Sequence, residues 1–142
     1  MSTAQQITLT LPMIPNMELT ASKTAGALGE HIGMSRDKID EVQMAVVEAC
    51  INAFEHSGSD DREVQIQMQV LGEDQDPRGL EIMIRDRGVG FSPEAVTTHK
   101  KGKVSALPQK RGYGLRIIHG LMDEVDISSD EDGTTVTMKK LR

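Results

Sequence analysis

The sequence predicts an α/β fold, a two-layer sandwich in which a mostly antiparallel sheet is covered by helices on one face. Three observations predict it. Several short segments alternate apolar and polar residues, which is typical of strands with one buried face. Two longer segments carry apolar residues at helical spacing. The segments follow one another in the order βαα-ββ-α-α-ββ, in which neighbouring strands suit antiparallel hairpins.

The length and composition are those of one small globular domain, so we expect residues 1–142 to form a single unit. Hydrophobic residues make up 37% of the chain and aromatic residues only 2%, so aliphatic side chains and nine Met must fill the core. The single Cys excludes an internal disulfide and a zinc site built from several Cys.

Charge and hydropathy limit the partners and the compartment. The net charge of -6 argues against direct binding to nucleic acid, which needs clustered Lys and Arg. No apolar run approaches the length that spans a membrane, and the first residues lack the features of a signal peptide. We therefore expect a cytoplasmic protein that binds neither nucleic acid nor membrane.

The first half of the chain predicts one strand and two helices. Residues 7–11 alternate with period two and predict the strand. An amphipathic segment at 17–32 predicts the first helix, with Gly33 as its stop. Ser35 is the expected N-cap of a second helix at 36–56.

The second half predicts two hairpins. Strands at 63–70 and 80–86 are expected to pair through a polar turn at 72–79, a loop longer than the tightest hairpin turns. A final hairpin is expected to pair 125–128 with 134–138.

Polar residues recur on the second helix at a spacing that places them on one face. Glu48, Asn52 and His56 are separated by four residues each, and small apolar residues surround them. A buried carboxylate and a buried amide are costly unless a partner satisfies them. This stretch alone leaves two interpretations open, a core helix with an incidental polar seam and a ligand site.

Two glycine motifs favour the ligand site. Asp86-x-Gly88-x-Gly90 ends a predicted strand, where glycines let a ligand approach without a Cβ in the way. Gly112-x-Gly114 opens a predicted helix at 115–122, and the free N–H groups of such a start face an anion. Either motif alone is a weak signal, because ordinary turns have similar compositions.

The segment at 97–111 lies between these motifs and is basic. It carries one His and several Lys and Arg residues, with no acidic residue. A solvated loop is the usual outcome for such a run. Its position between two glycine motifs instead favours a mobile lid that covers a bound anion.

In this order, the motifs resemble those of the GHKL ATPases, the superfamily of gyrase, the histidine kinases and MutL. The resemblance is strongest to the bacterial anti-sigma-factor serine kinases of sporulation and stress-response switches, and it covers essentially the whole chain. Residues 121–125 (Leu-Met-Asp-Glu-Val) and 133–136 (Gly-Thr-Thr-Val) add two further segments of that family. The matching boxes are Glu48-x-x-x-Asn52-Ala53-x-x-His56, Asp86-x-Gly88-x-Gly90-Phe91 and Gly112-x-Gly114-Leu115.

The resemblance implies a histidine-kinase-like ATPase fold that binds ATP with Mg²⁺. It implies Glu48 as the catalytic base that orients an attacking hydroxyl, and Asn52 as the protein ligand of the metal, which prefers oxygen ligands. Asp86 would accept a hydrogen bond from the adenine amino group. The nucleotide-binding residues that it implies are Asn52, His56, Asp86, Gly88, Gly90, Arg111, Gly112, Gly114, Leu115 and Thr134.

The function that the resemblance implies is an ATP-dependent protein serine/threonine kinase that acts as an anti-sigma factor. Its expected partners are a small anti-anti-sigma protein of the STAS type as substrate, a sigma factor, and a second copy of the chain. Many relatives carry an acidic residue and then Arg before the second glycine box, where this chain has Lys110-Arg111, so the identity of the partner stays open.

Two alternatives remain beside this function. One is a nucleotide-gated binding module that sequesters a partner without kinase activity. The other is the ATP-binding domain of a histidine kinase. The sequence before Glu48 holds no dimerising helical hairpin with a phospho-accepting His, which favours the serine kinase.

Overall fold

A computed structural model describes residues 6–56, 63–86, 116–130 and 133–142. Within these ranges the chain forms five strands, two long helices and a shorter helical segment at 116–121. The elements are β1 (Gln6–Pro12), α1 (Met17–His31), α2 (Arg36–His56), β2 (Glu63–Glu73), β3 (Asp76–Asp86), β4 (Glu124–Asp130) and β5 (Gly133–Leu141).

The strands form one sheet in the order β1-β2-β3-β5-β4, and every neighbouring pair is antiparallel. The two helices pack against each other, and α2 also contacts β2, β3 and β5 in the middle of the sheet. The predicted α/β sandwich is therefore confirmed. The helix that carries Glu48 and Asn52 lies over the central strands.

The core lies between the sheet and the two helices, and it follows the periodicities of the sequence. On β2, alternate side chains are buried, among them Val64, Ile66 and Met68, each with 0% exposure. Facing them, α2 buries a stripe at helical spacing that includes Val42 and Val46. Period two on the strands and period 3.6 on the helix thus meet in one apolar layer.

The turn between α1 and α2 has the local signals that the sequence predicts. Gly33 has a φ of 75°, a conformation that glycine adopts without strain, and its N–H donates to the carbonyl of Glu30 at 3.1 Å. At the start of α2, the Ser35 hydroxyl accepts a hydrogen bond from the N–H of Lys38 at 3.3 Å. Both predicted helix limits are confirmed.

The hairpin between β2 and β3 is tighter than the sequence predicts. The strands continue until Glu73 pairs with Asp76, so the turn is made by residues 74–75 and the predicted loop at 72–79 is wrong. The register shifts between Leu71 and Gly72, and Gly72 has a φ of 90°. This bulge lets both strands run on through residues whose polar composition is typical of a turn.

No helix in the described ranges is both long enough and apolar enough to cross a membrane.

Candidate active site

The strand pairing brings the end of β3 and the start of β5 to one end of the sheet. Arg85 pairs with Thr135, and the neighbouring Asp86 and Thr134 are joined by a hydrogen bond. The ion pair between Glu41 and Lys140 anchors the first turns of α2 near the other end of the sheet, where β5 ends. The helix also contacts β2 and β3, and Asn52 and Ala53 in its last turns are buried.

Asp86 and Thr134 form a buried polar pair at the end of the sheet. Their exposed fractions are 2% and 3%, and the N–H of Thr134 donates to Oδ1 of Asp86 at 3.4 Å. A buried carboxylate is costly unless hydrogen bonds satisfy it, and this backbone donor is one of its partners. Asp86, which the resemblance assigns to adenine, and Thr134, which it assigns to the nucleotide, therefore lie in contact.

The hydroxyl of Thr134 is held by a residue that the sequence reasoning missed. The hydroxyls of Ser129 and Thr134 lie 3.1 Å apart, across the β4–β5 hairpin in which these residues are partners. A turn placed around Asp132 and Gly133 does not put Ser129 opposite Thr134. The observed register, in which Asp130 pairs with Gly133, is centred between residues 131 and 132. Ser129 thus helps to orient the hydroxyl in the predicted pocket.

Asn52 is buried on α2, with an exposed fraction of 7%. Its Nδ2 has no hydrogen-bond partner among the residues that the structure describes. A buried donor without an acceptor costs about 1–3 kcal/mol, and a ligand that brings an acceptor would recover that energy. Glu48 lies one helical turn earlier, and its side chain is half-buried.

Several predicted site residues lie outside the described residues. These are Gly88, Gly90, Arg111, Gly112, Gly114 and Leu115, and the side chain of His56. Their assignment to the nucleotide stays a prediction. The described chain resumes at Arg116, two residues after the second glycine motif.

Cys50 also lies on α2, but its environment is that of a core residue. It is fully buried, and this burial raises the pKa of its thiol from 9.0 to about 12, with the negative charge of Glu18 adding to the effect. A thiol with such a pKa stays protonated and unreactive near neutral pH. Cys50 therefore takes no part in the candidate site.

Comparison with known protein families agrees with this architecture. Residues 16–140 match the family described as the histidine kinase-like ATPase domain. The chain belongs to this family. The match includes α1, α2, β2 to β4 and all of β5 except its last residue, and therefore every described residue of the candidate site.

Curated relatives of this family member include several proteins named serine-protein kinase RsbW. The one from Oceanobacillus iheyensis is 31% identical over 146 residues, which cover 99% of this chain and 89% of the relative. The one from Listeria monocytogenes serotype 4a is 30% identical over 141 residues, which cover 95% of this chain and 86% of the relative. The one from Bacillus cereus is 36% identical over 123 residues, with 82% and 72% covered. The resemblance to GHKL ATPases and bacterial serine kinases that the motifs indicate is confirmed.

Two solved structures share the fold of this family member. The RsbU and RsbW domains of Rv1364c from Mycobacterium tuberculosis match with a TM-score of 0.66 at 20% identity, over 96% of this chain and 32% of that one. The histidine kinase domain of the blue-light activated kinase EL346 from Erythrobacter litoralis matches with a TM-score of 0.51 at 17% identity. This match covers 92% of this chain and 61% of that one. At these identities the likeness extends to the fold.

Proposed function

We propose that residues 1–142 act as one kinase domain that transfers phosphate from ATP to a serine or threonine of a partner protein. The partner is a small anti-anti-sigma protein of the STAS type, and the chain also sequesters a sigma factor and works as a homodimer. The names of the RsbW relatives support the serine kinase activity. The roles of the sigma factor, the STAS-type substrate and the dimer come from the family resemblance.

The observation that carries the proposal is the buried amide of Asn52, whose Nδ2 lacks an acceptor among the described residues. An amide offers one hard oxygen, which suits Mg²⁺, and an NH2 group with two N–H donors, which suits phosphate oxygens. Bound Mg²⁺ would neutralise charge on the phosphates during transfer. Asn52 would hold the metal without adding a second negative charge next to the phosphates.

The pair formed by Asp86 and Thr134 supports adenine as the base. A carboxylate accepts hydrogen bonds and cannot donate them, so Asp86 selects a purine with an amino group at position six. Guanine has a carbonyl at that position, which would repel the carboxylate. The hydroxyl of Thr134, held by Ser129, can bond to the base directly or through a water molecule.

Glu48 is the group that we assign to the transfer itself. Its half-buried side chain can face bound nucleotide and still be reached by the hydroxyl of a protein substrate. There the carboxylate would orient this hydroxyl and accept its proton as the bond to phosphorus forms.

The test compares two variants of α2 in two measurements, nucleotide affinity and single-turnover phosphate transfer to a co-purified partner. Glu48→Gln keeps the shape and removes the charge, so nucleotide affinity should change little. The rate of phosphate transfer should fall by about 10²–10⁴-fold, which is the usual contribution of a positioned base to the rate. Asn52→Ala should weaken magnesium-dependent binding and transfer together, because the metal is held before and during the reaction.

Two outcomes would contradict the proposal. If Glu48→Gln transfers phosphate at the wild-type rate, Glu48 is not the base. If the wild-type protein binds ATP but transfers no phosphate to any partner that co-purifies with it, the kinase activity is wrong. The nucleotide-gated binding module would then be the function to keep.

A further inference from the structure

Lys140 occupies a position where a lysine is unusual. It lies on the face of β5 that points into the core, two residues after Met138 and four after Val136, and its exposed fraction is 7%. A buried ammonium group is costly unless it is paired and hydrogen-bonded. Its partners therefore show what the side chain holds together.

The ammonium group of Lys140 joins two helices. Its Nζ lies 3.2 Å from Oε1 of Glu41 on α2, and it also donates a hydrogen bond to the carbonyl of Leu121. Leu121 is the last helical residue of the segment at 116–121. Carbonyls at a helix C-terminus lack intrahelical donors and carry partial negative charge, so a cation is a favourable partner there.

Further contacts attach the end of this helical segment to β5. The N–H of Asp123 donates to the carbonyl of Lys139 at 2.9 Å, and the Asp123 carboxylate accepts from the N–H of Leu141 at 2.6 Å. Ile118 and Met122 are buried beneath the segment, at 0% and 5% exposure. These contacts fix the segment on the strand, and Lys140 also reaches α2 through Glu41.

Both helices that Lys140 joins lead to the candidate site. Glu41 precedes Glu48 by seven residues, about two turns on the same face of α2. The segment at 116–121 follows the second glycine motif directly in the sequence. We propose that Lys140 is a positioning residue that sets the spacing between this segment and α2, and with it the position of Asn52, the proposed metal ligand. The inference rests on the proposed function, namely that the chain binds ATP.

Fold stability alone does not account for a lysine at this position. Buried ion pairs contribute little net stability compared with apolar side chains of similar size, because desolvation offsets the attraction. A methionine would fill the same space next to Met138. The cost of the charge is explained if a fixed distance between the two helices matters for binding.

The experiment compares Lys140→Met with Lys139→Met and the wild-type protein. Lys139 is the neighbouring residue on β5, and its ion pair with Glu81, 3.7 Å long, is partly exposed to solvent. Each variant loses one charge and one ion pair from the same strand. Calorimetry of the folded proteins measures the affinity for ATP with Mg²⁺ and for adenosine.

We expect Lys140→Met to weaken ATP binding about tenfold, because Asn52 on α2 is then no longer held at a fixed distance from the segment at 116–121. Adenosine affinity should stay within about twofold, because Asp86 and Thr134 lie at the other end of β5 and contact the base. Lys139→Met should leave both affinities unchanged, and Lys140→Arg should restore most of the ATP affinity. A purely structural lysine would not alter the ratio of the two affinities in folded protein.

An unchanged ratio of ATP to adenosine affinity in Lys140→Met overturns the inference and leaves the proposed function standing. If the wild-type protein fails to bind ATP, both the inference and the proposed function are wrong. If Lys140→Met does not fold, Glu41→Gln replaces it, because the Glu41 side chain is 40% exposed and tolerates the change. It should weaken ATP binding several-fold, again without loss of adenosine affinity.

Discussion

At the scale of single residues, the candidate site contains buried polar groups of two kinds. The Asp86 carboxylate accepts the N–H of Thr134, so it is held in place by the fold itself. The Nδ2 of Asn52 has no acceptor among the described residues. The Asp86 carboxylate is a preorganised acceptor, and the Nδ2 of Asn52 is a donor that still needs an acceptor. A ligand with an amino group at one end and anionic oxygens at the other satisfies both.

This difference predicts the effect of Asp86→Asn. The amide oxygen can still accept from Thr134, so the fold should be retained. The amide nitrogen, however, can donate toward the base, so the preference for an amino group is lost. Affinity for ATP should fall by roughly 1–3 kcal/mol, while GTP should bind no worse than before. Calorimetry with both nucleotides tests this, and equal affinity of the wild-type protein for ATP and GTP would contradict the role of Asp86.

Cys50 predicts a dependence of stability on alkaline pH. Its folded pKa of about 12 lies above the ordinary value of 9.0, so the unfolded chain loses the thiol proton first as pH rises. The contribution of the protonated thiol to the free energy of unfolding is therefore complete below pH 9. It is lost as the pH rises from 9 toward 12. Between pH 8 and pH 10 the thiol should lower the free energy of unfolding by roughly 1 kcal/mol. Urea unfolding of the wild-type protein and Cys50→Ala should show this difference, and parallel losses in both would contradict it.

At the scale of elements, α1 and α2 are joined by a reciprocal pair of hydrogen bonds. The Ser22 hydroxyl donates to the carbonyl of Gln43 at 3.3 Å, and Nε2 of Gln43 donates to the carbonyl of Ser22 at 3.2 Å. Gly26 lies beneath this contact, and a Cβ at that position would lie 2.9 Å from Cδ of Gln43 and overlap its amide nitrogen. The absence of a side chain at Gly26 therefore leaves room for Gln43.

This contact predicts that Gly26→Ala and Gln43→Ala are coupled. Alanine favours the helix by about 0.5–1 kcal/mol, but in the wild-type background it must displace Gln43 and break its hydrogen bond. Gly26→Ala should therefore be more favourable by about 1 kcal/mol when Gln43 is already Ala. Urea unfolding of the four proteins measures the coupling, and additive effects would contradict it. Gly120→Ala is the control, because a Cβ there meets nothing within 4 Å and should act equally in both backgrounds.

The elements also show which parts of the fold the sequence can predict. The end of α1 and the start of α2 were predicted because Gly33 and Ser35 act within a few residues of themselves. The tight turn of the β2–β3 hairpin was not predicted, because the bulge at Gly72 depends on pairing with β3 and not on local composition. Lys140 was missed for a related reason. Its place in the alternation of β5 points it into the core, but the two groups that satisfy it come from distant parts of the chain.

At the scale of the whole molecule, the site is not separable from the core. Asn52, Asp86 and Thr134 come from α2, β3 and β5, which all border the same apolar layer. The motifs predicted which residues would be involved. Strand register then determines that Asp86 meets Thr134, a contact between residues 48 positions apart that no local pattern specifies.

Because the site is part of the core, nucleotide should stabilise the whole domain. A ligand that binds only the folded protein raises the free energy of unfolding by about 2.7 kcal/mol at a concentration of 100 times its Kd. We expect ATP with Mg²⁺ to raise the melting temperature, GTP to have little effect, and removal of Mg²⁺ by a chelator to reduce the shift. In Asn52→Ala the shift should no longer respond to the chelator, because the proposed metal ligand is gone. Thermal unfolding with each nucleotide measures these shifts, and a chelator effect of wild-type size in Asn52→Ala would show that another residue binds the metal.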